Sequence, residues 1–252
     1  MSITQSCTVR KQTILLDLDT DQESEDGIRN YELWRAGHYD HKEPDTLDWI
    51  DAHFNEGDTL YDIGANIGQY SLYAAKCLNG NAQILTFEPE ALNFSKLNRN
   101  IVLNELGQAM TAYPIAVSDD TGIDHFYSKA FKTGAALHAL GRAVTQGEKA
   151  FEPQNRQGIM AVSLDDLTGK FDLPFPTHIK VDVDGIEDRI VSGAHNTLRD
   201  PRLKTFLIEV YMHGEIAQNI QTAFQEAGLT LSNADVTDFT PGVVQNLIFV
   251  RE

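Results

Sequence analysis

The sequence predicts a doubly wound α/β fold, with a mostly parallel sheet and an antiparallel strand at its C-terminal end. Two observations lead there. Short apolar runs alternate with helix-length segments from residue 59 to residue 227, the order that builds a parallel sheet covered on both faces. The chain then ends on two β-like runs, residues 229–232 and 245–251, with only a loop between them. That is too little for a crossover helix, so the pair is expected to be antiparallel.

Residues 13–18 form a short β-like run ahead of the acidic stretch 19–26, and residues 28–39 mix aromatics (Tyr31, Trp34, Tyr39) with charges. Leu47, Ile50 and Phe54 recur at helical spacing just after Pro44, predicting a helix over 45–54. Residues 1–56 are therefore expected to be an N-terminal cap or lid, and residues 57–252 the main domain. Within that domain the order is strand 59–63, helix 67–78, strand 83–87, helix 89–106 and strand 110–117. Residues 118–162 interrupt the alternation. They hold five glycines (Gly122, Gly134, Gly141, Gly147, Gly158) and little periodicity, predicting an insertion with a small hairpin at 123–128 and a long loop. Strand 178–183, helix 186–198, strand 203–210 and helix 215–227 resume the pattern.

Charge narrows the partners. The chain has 37 acidic and 20 basic residues, a net charge of −17, and its basic residues form no extended cluster. A phosphate backbone would repel such a surface, so nucleic acid is not an expected partner. Two cysteines, Cys7 and Cys77, offer no disulfide framework. No apolar run reaches the roughly 18–20 residues of a membrane span, and the N-terminus lacks a secretory pattern. A soluble, cytoplasmic protein with no membrane partner is expected.

The sharpest motif is Asp62-Ile63-Gly64-Ala65-Asn66-Ile67-Gly68, at the turn after the first core strand. Glycine there lets the backbone bend and approach a ligand, and sheets of this type bind ligands beyond the carboxyl ends of their strands. Phe87-Glu88-Pro89 ends the next strand, where a carboxylate can accept both hydroxyl hydrogens of a ribose. Nicotinamide enzymes use the same device. The glycine spacing separates the two, because Gly-x-x-x-Gly differs from the Gly-x-Gly-x-x-Gly of a pyrophosphate turn. S-adenosylmethionine, which has no phosphate, fits that difference.

These motifs, together with Asn100, Asn104, Ala116-Val117-Ser118-Asp119, Ile179-Lys180-Val181-Asp182-Val183-Asp184-Gly185-Ile186-Glu187 and Gly193-Ala194, resemble FkbM-type methyltransferases from about residue 57 to residue 209. The resemblance implies a class I methyltransferase (Rossmann-like) fold, S-adenosyl-L-methionine as donor, and an oxygen acceptor on a sugar or natural product. It implies that Gly64, Ala65, Asn66 and Gly68 line the methionine part of the donor, with Asp62 orienting its ammonium group. Glu88 would hold the ribose, Ser118 and Asp119 would lie near the adenine, and Asp182 would stand at the reaction centre. Asp184 departs from the family's more usual glutamate. Ser118 and Asp119 also suit an ordinary β-turn.

Methyl transfer to a hydroxyl needs an in-line nucleophile and benefits from a base. Candidate catalytic groups after the fourth and fifth strands are Asp182, Glu209 and His213, with Asp184 and Glu187 nearby. His213 has the most suitable unperturbed pKa, although a loop histidine is equally compatible. Asp182, Asp184 and Glu209 are also hard oxygen ligands for Mg²⁺ or Ca²⁺, an alternative that the sequence does not favour. The expected activity is O-methylation of a small hydroxylated acceptor, a carbohydrate or glycosylated metabolite. N-methylation, carboxyl methylation and nicotinamide-dependent oxidoreduction are the alternatives.

Overall fold

Strands alternate with helices as the sequence predicts, and the computed structural model adds an N-terminal hairpin and a second sheet. It describes residues 2–20, 30–136, 138–144, 149–212, 215–232 and 243–251. In chain order the first half runs β1 (Ser2–Val9), β2 (Gln12–Asp19), α1 (Tyr31–Gly37), α2 (Pro44–His53), β3 (Thr59–Ile63), α3 (Gln69–Cys77), β4 (Gln83–Phe87) and α4 (Ala91–Leu103). There follow β5 (Met110–Tyr113), β6 (Ala116–Ser118), β7 (Gly122–Ser128), β8 (Ala139–Leu140), β9 (Asn155–Ser163) and α5 (Leu164–Gly169). The last part is β10 (His178–Val181), α6 (Glu187–Ser192), α7 (His195–Arg199), β11 (Thr205–Tyr211), α8 (Ile216–Glu226), β12 (Leu229–Leu231) and β13 (Val244–Arg251).

The main sheet has the order β12-β13-β11-β10-β3-β4-β5. Strands β3, β4, β5, β10 and β11 are parallel, while β13 runs antiparallel to both β11 and β12. The chain winds outward from β3 through β4 to β5, then returns to β10 on the other side of β3. Strand order therefore reverses between β3 and β10, and a crevice opens there at the carboxyl ends. Both strands are buried along their whole length, as a sheet covered on both faces requires.

Three expectations are corrected. The single strand expected over 110–117 is two strands. Pro114 offers no N–H to continue a ladder, so β5 ends at Tyr113 and β6 joins a different sheet. The insertion is not a small hairpin with a long loop but a four-stranded sheet, β6-β9-β7-β8, in which β6 and β9 pair in parallel. The helix expected over 186–198 is broken into α6 and α7. A Cβ on Gly193, at the break, would lie 2.3 Å from the Ser118 carbonyl oxygen, so this close approach leaves room for glycine alone.

The N-terminal segment packs onto the main domain through polar stitching. Hairpin β1–β2 lies against α4, where Asn104 pairs with Leu15 as a strand would: Leu15 N–H donates to Asn104 Oδ1 at 2.9 Å, and Asn104 Nδ2 donates to the Leu15 carbonyl at 2.7 Å. Asn100 accepts from Asp17 N–H at 2.8 Å and donates to the Ile67 carbonyl at 2.9 Å, tying β2 to the turn after β3. Lys96 on α4 sits buried within 4 Å of Asp17, Asp19 and Glu32. These charges lock β2 and α1 onto α4.

A buried network closes the opposite, amino-terminal edge of the sheet. His178 Nε2 lies 3.0 Å from Asp58 Oδ2 and Nδ1 lies 2.7 Å from Thr205 Oγ1. Trp49 donates to the same threonine, and Lys204 donates to Asp58. Among the described residues no helix is long and apolar enough to cross a membrane.

Candidate active site

The turn after β3 is shaped by what surrounds it. Gly64 has φ +81°, and its N–H and that of Ala65 both donate to the Phe87 carbonyl at the end of β4. Glu88, the next residue, reaches back: one carboxylate oxygen accepts from Asn66 N–H at 2.8 Å and the other from Glu90 N–H at 2.8 Å. Burial pushes the Glu88 carboxyl up to about 8, with the two amides and Arg35 pulling against it and Glu90 adding to it. Asn66 occupies a left-handed conformation (φ 52°), which asparagine tolerates better than most residues.

The crevice also holds a cluster of opposite charges. Lys180 is buried and donates to Asp182 at 2.9 Å, with its ammonium 5.1 Å from the Tyr70 ring centroid. Although desolvation in the crevice opposes it, Asp182 is held below the usual carboxylate range by Lys180, Lys42 and Arg35. Glu209, at the end of β11, is pushed up to about 8 by burial and by the Asp182 charge. Carboxylate oxygens of Glu43, Asp182 and Glu209 lie within 4.8 Å of one another. Two of the three already have an ammonium partner, since Lys180 bonds Asp182 and Lys42 bonds Glu43. Of the hard oxygen ligands named from sequence, Asp182 and Glu209 fall in this cluster, with Glu43 in place of Asp184.

The insertion supplies a wall. Asn66 Nδ2 and Asn93 Nδ2 both donate to the Ala135 carbonyl, Gly134 N–H donates to Asn93 Oδ1, and Arg35 Nε donates to the Gly134 carbonyl at 2.8 Å. His138 N–H donates to Asp184 at 3.0 Å. The result is a cavity of about 370 Å³. Its lining combines apolar side chains (Ile115, Val117, Phe126, Leu140, Ile186) with Trp34, Arg35, Lys42, Asp182 and Glu209. Both ring nitrogens of His138, in the wall, are buried and have no hydrogen-bond partner among the described residues. Its pKa is pushed down to about 4, chiefly by burial.

Of the residues singled out from sequence, Gly64, Asn66, Glu88, Asp182 and Glu209 line this cavity. Ala65 and Gly68 lie in the same turn, buried behind it, and Gly68 packs on Leu97. Asp62 does not reach the cavity wall: one oxygen of its buried carboxylate accepts from the Ser71 hydroxyl, and the other has no partner among the described residues. Ser118 and Asp119 also face away from the lining. Ser118 donates to Asp119 at 2.9 Å and Asp119 pairs with Arg189 at 2.8 Å. Glu187 folds back onto Gly185 N–H. His213 lies outside the described residues. Sequence reasoning missed Arg35, Lys42, Glu43 and His138; each belongs to the cap or the insertion, where no motif marks it.

The chain matches the family described as Methyltransferase FkbM domain across residues 62–235. It is 25% identical over 222 residues to the hexuronic acid methyltransferase AglP of Haloferax volcanii, covering 85% of this chain and 82% of that one. Among solved structures, an inferred rRNA methylase from Clostridium thermocellum superposes with a TM-score of 0.52 at 9% identity, over 82% of this chain and 93% of that one. That likeness shows the fold, a Rossmann-like class I methyltransferase.

Proposed function

The chain belongs to the FkbM methyltransferase family, with S-adenosylmethionine as its methyl donor, and on that premise we propose that it methylates a hydroxyl oxygen of a small carbohydrate or glycosylated acceptor. The observation that carries this reading is the Asp182–Glu209 pair: two neighbouring carboxyls with opposed pKa shifts, at the end of the cavity. A group titrating near 8 is well matched to receiving a proton from a hydroxyl as attack proceeds. Asp182, kept ionised by Lys180, would orient the acceptor hydroxyl, and Glu209 would take its proton.

The residues fit the donor. A cavity of this size lies within the range for small-molecule sites. Glu88 lines the cavity at the end of β4, where a ribose would sit, the apolar lining suits a purine, and among the described residues the two ring nitrogens of His138 have no hydrogen-bond partner. The donor supplies a methyl carbon whose bond to a sulfonium sulfur breaks, with the electron pair returning to sulfur. The chain's part is positional and electrostatic, aligning the hydroxyl oxygen with that carbon and removing its proton.

A sugar is supported by Tyr31 and Trp34, aromatic faces on the cavity wall, and by the hexuronic acid named for the Haloferax volcanii relative. Labelled methyl transfer to sugar glycosides tests the reading. Glu209→Gln should keep S-adenosylhomocysteine binding and lose roughly a hundredfold or more in kcat; unimpaired transfer in that variant would overturn it.

A further inference from the structure

Arg35 is the cavity's unspent cation. Its Nε donates to the Gly134 carbonyl, and among the described residues no partner accepts from the rest of the guanidinium. Asp182, Asp184 and Glu88 lie near enough to act on it through their charges, yet none is within 4 Å to form an ion pair. The two other ammonium groups of this region are spent, Lys180 on Asp182 and Lys42 on Glu43. A partly exposed guanidinium at the cavity wall with no bonded anion keeps N–H donors available to a ligand. Its planar fork of N–H donors is the geometry that matches a carboxylate.

We propose that the acceptor carries a carboxylate as well as the hydroxyl that is methylated, and that the Arg35 guanidinium receives that carboxylate. The inference rests on the sugar-hydroxyl reading above and narrows it to sugar acids. Position favours the acceptor as the source of the carboxylate over the donor's own methionine part. Arg35 is carried by α1, whose Tyr31 and Trp34 line the same cavity, whereas the donor's candidate contacts come from the turn after β3 and from Glu88. Charge argues the same way. In a chain of net charge −17 with Asp182 and Asp184 in the wall, an anionic acceptor needs a local cation, and a neutral sugar does not.

The test pairs each hexuronic acid with its neutral hexose (glucuronate with glucose, galacturonate with galactose, mannuronate with mannose) as aryl glycosides, with labelled S-adenosylmethionine. Wild type should prefer the acid member. Arg35→Gln should lower kcat/KM for the acid by about ten- to a hundredfold more than for the hexose, the range for a lost charge-assisted hydrogen bond, because any loss through Asp182 or the Gly134 wall falls on both members alike. Arg35→Lys, which keeps the charge without the fork, should fall between. S-adenosylhomocysteine affinity should stay within about twofold in both variants. Folding damage would lower both members together, so the acid-to-neutral ratio isolates the contact. A preserved ratio in Arg35→Gln, or a loss confined to S-adenosylhomocysteine affinity, overturns the assignment and leaves the sugar reading standing. Methylation of no sugar in the panel overturns both.

Discussion

The backbone carbonyl of Asp182 stands where a side chain on Gly64 would begin: a Cβ built on Gly64 would lie 2.0 Å from that oxygen. The turn after β3 and the end of β10 are therefore packed backbone to backbone. Gly64→Ala must push the two strand ends apart as well as strain a residue at φ +81°. We expect lost S-adenosylhomocysteine binding and a clear drop in Tm. Gly57→Ala is the control: it has a similar φ of +87° but nothing within 4 Å, so it carries only the left-handed penalty of about 1–2 kcal/mol. Equal effects from the two substitutions would show that the contact with Asp182 is unimportant.

Asn104 replaces a missing strand neighbour for β2. Asn104→Ala leaves the Leu15 N–H and carbonyl without their partner and should cost about 1–3 kcal/mol. Hydrogen exchange reads it locally: the Leu15 amide should speed up, while amides of β10 and β11 change only as far as global stability does. Unchanged protection at Leu15 would mean that the hairpin is held by its apolar face alone.

The extent to which this architecture is legible in sequence follows the range of the interactions. The β3–turn–α3–β4 unit is local, so an apolar run, a glycine turn and a strand-end glutamate suffice to find it. The parallel pairing of β6 with β9 joins residues 116–118 to 161–163 across the whole insertion, and no local signal marks it. Strand β1 has mostly exposed side chains and so lacks an apolar signature. Arg35 and His138 come to the cavity from the cap and the insertion, held by the Gly134 carbonyl and the Asp184 carboxylate respectively, partners that only the fold supplies. Ser118-Asp119 shows the reverse: its turn chemistry is visible in sequence, and in the fold it pairs with Arg189.

His178 should make the fold acid-sensitive. Burial lowers its pKa to about 4, against about 6.5 when unfolded, so below 6.5 the unfolded chain takes up the proton more readily. This contribution is nil above pH 6.5 and destabilises increasingly as pH falls towards 4. The carboxyls of Glu88, Glu187 and Glu209 are raised to about 8 and titrate in the opposite sense. The His178 share must therefore be read as a difference between proteins. In urea titrations, the stability gap between wild type and His178→Gln should shrink by about 2 kcal/mol from pH 7.5 to pH 5. A constant gap would refute it.

Turnover should be insensitive to metal removal and should depend on the ionisation of Glu209. With its carboxyl raised to about 8, the basic form gains population as pH rises, so kcat should climb through that region and level off. Glu209→Gln should abolish the climb. Full activity is expected in excess EDTA, because Lys180 and Lys42 already balance Asp182 and Glu43. Loss of activity on chelation, restored by Mg²⁺, would replace the proton-acceptor role with metal assistance.

The most direct measurement is the linkage of the transferred methyl group. Trideuteromethyl-labelled S-adenosylmethionine is incubated with the protein and a hexuronic acid glycoside, and the product is analysed by NMR and mass spectrometry before and after mild alkali. The account predicts an alkali-stable methyl ether on a ring hydroxyl, with the carboxylate unmodified and bound by Arg35. An alkali-labile methyl ester, or label on nitrogen, would contradict it.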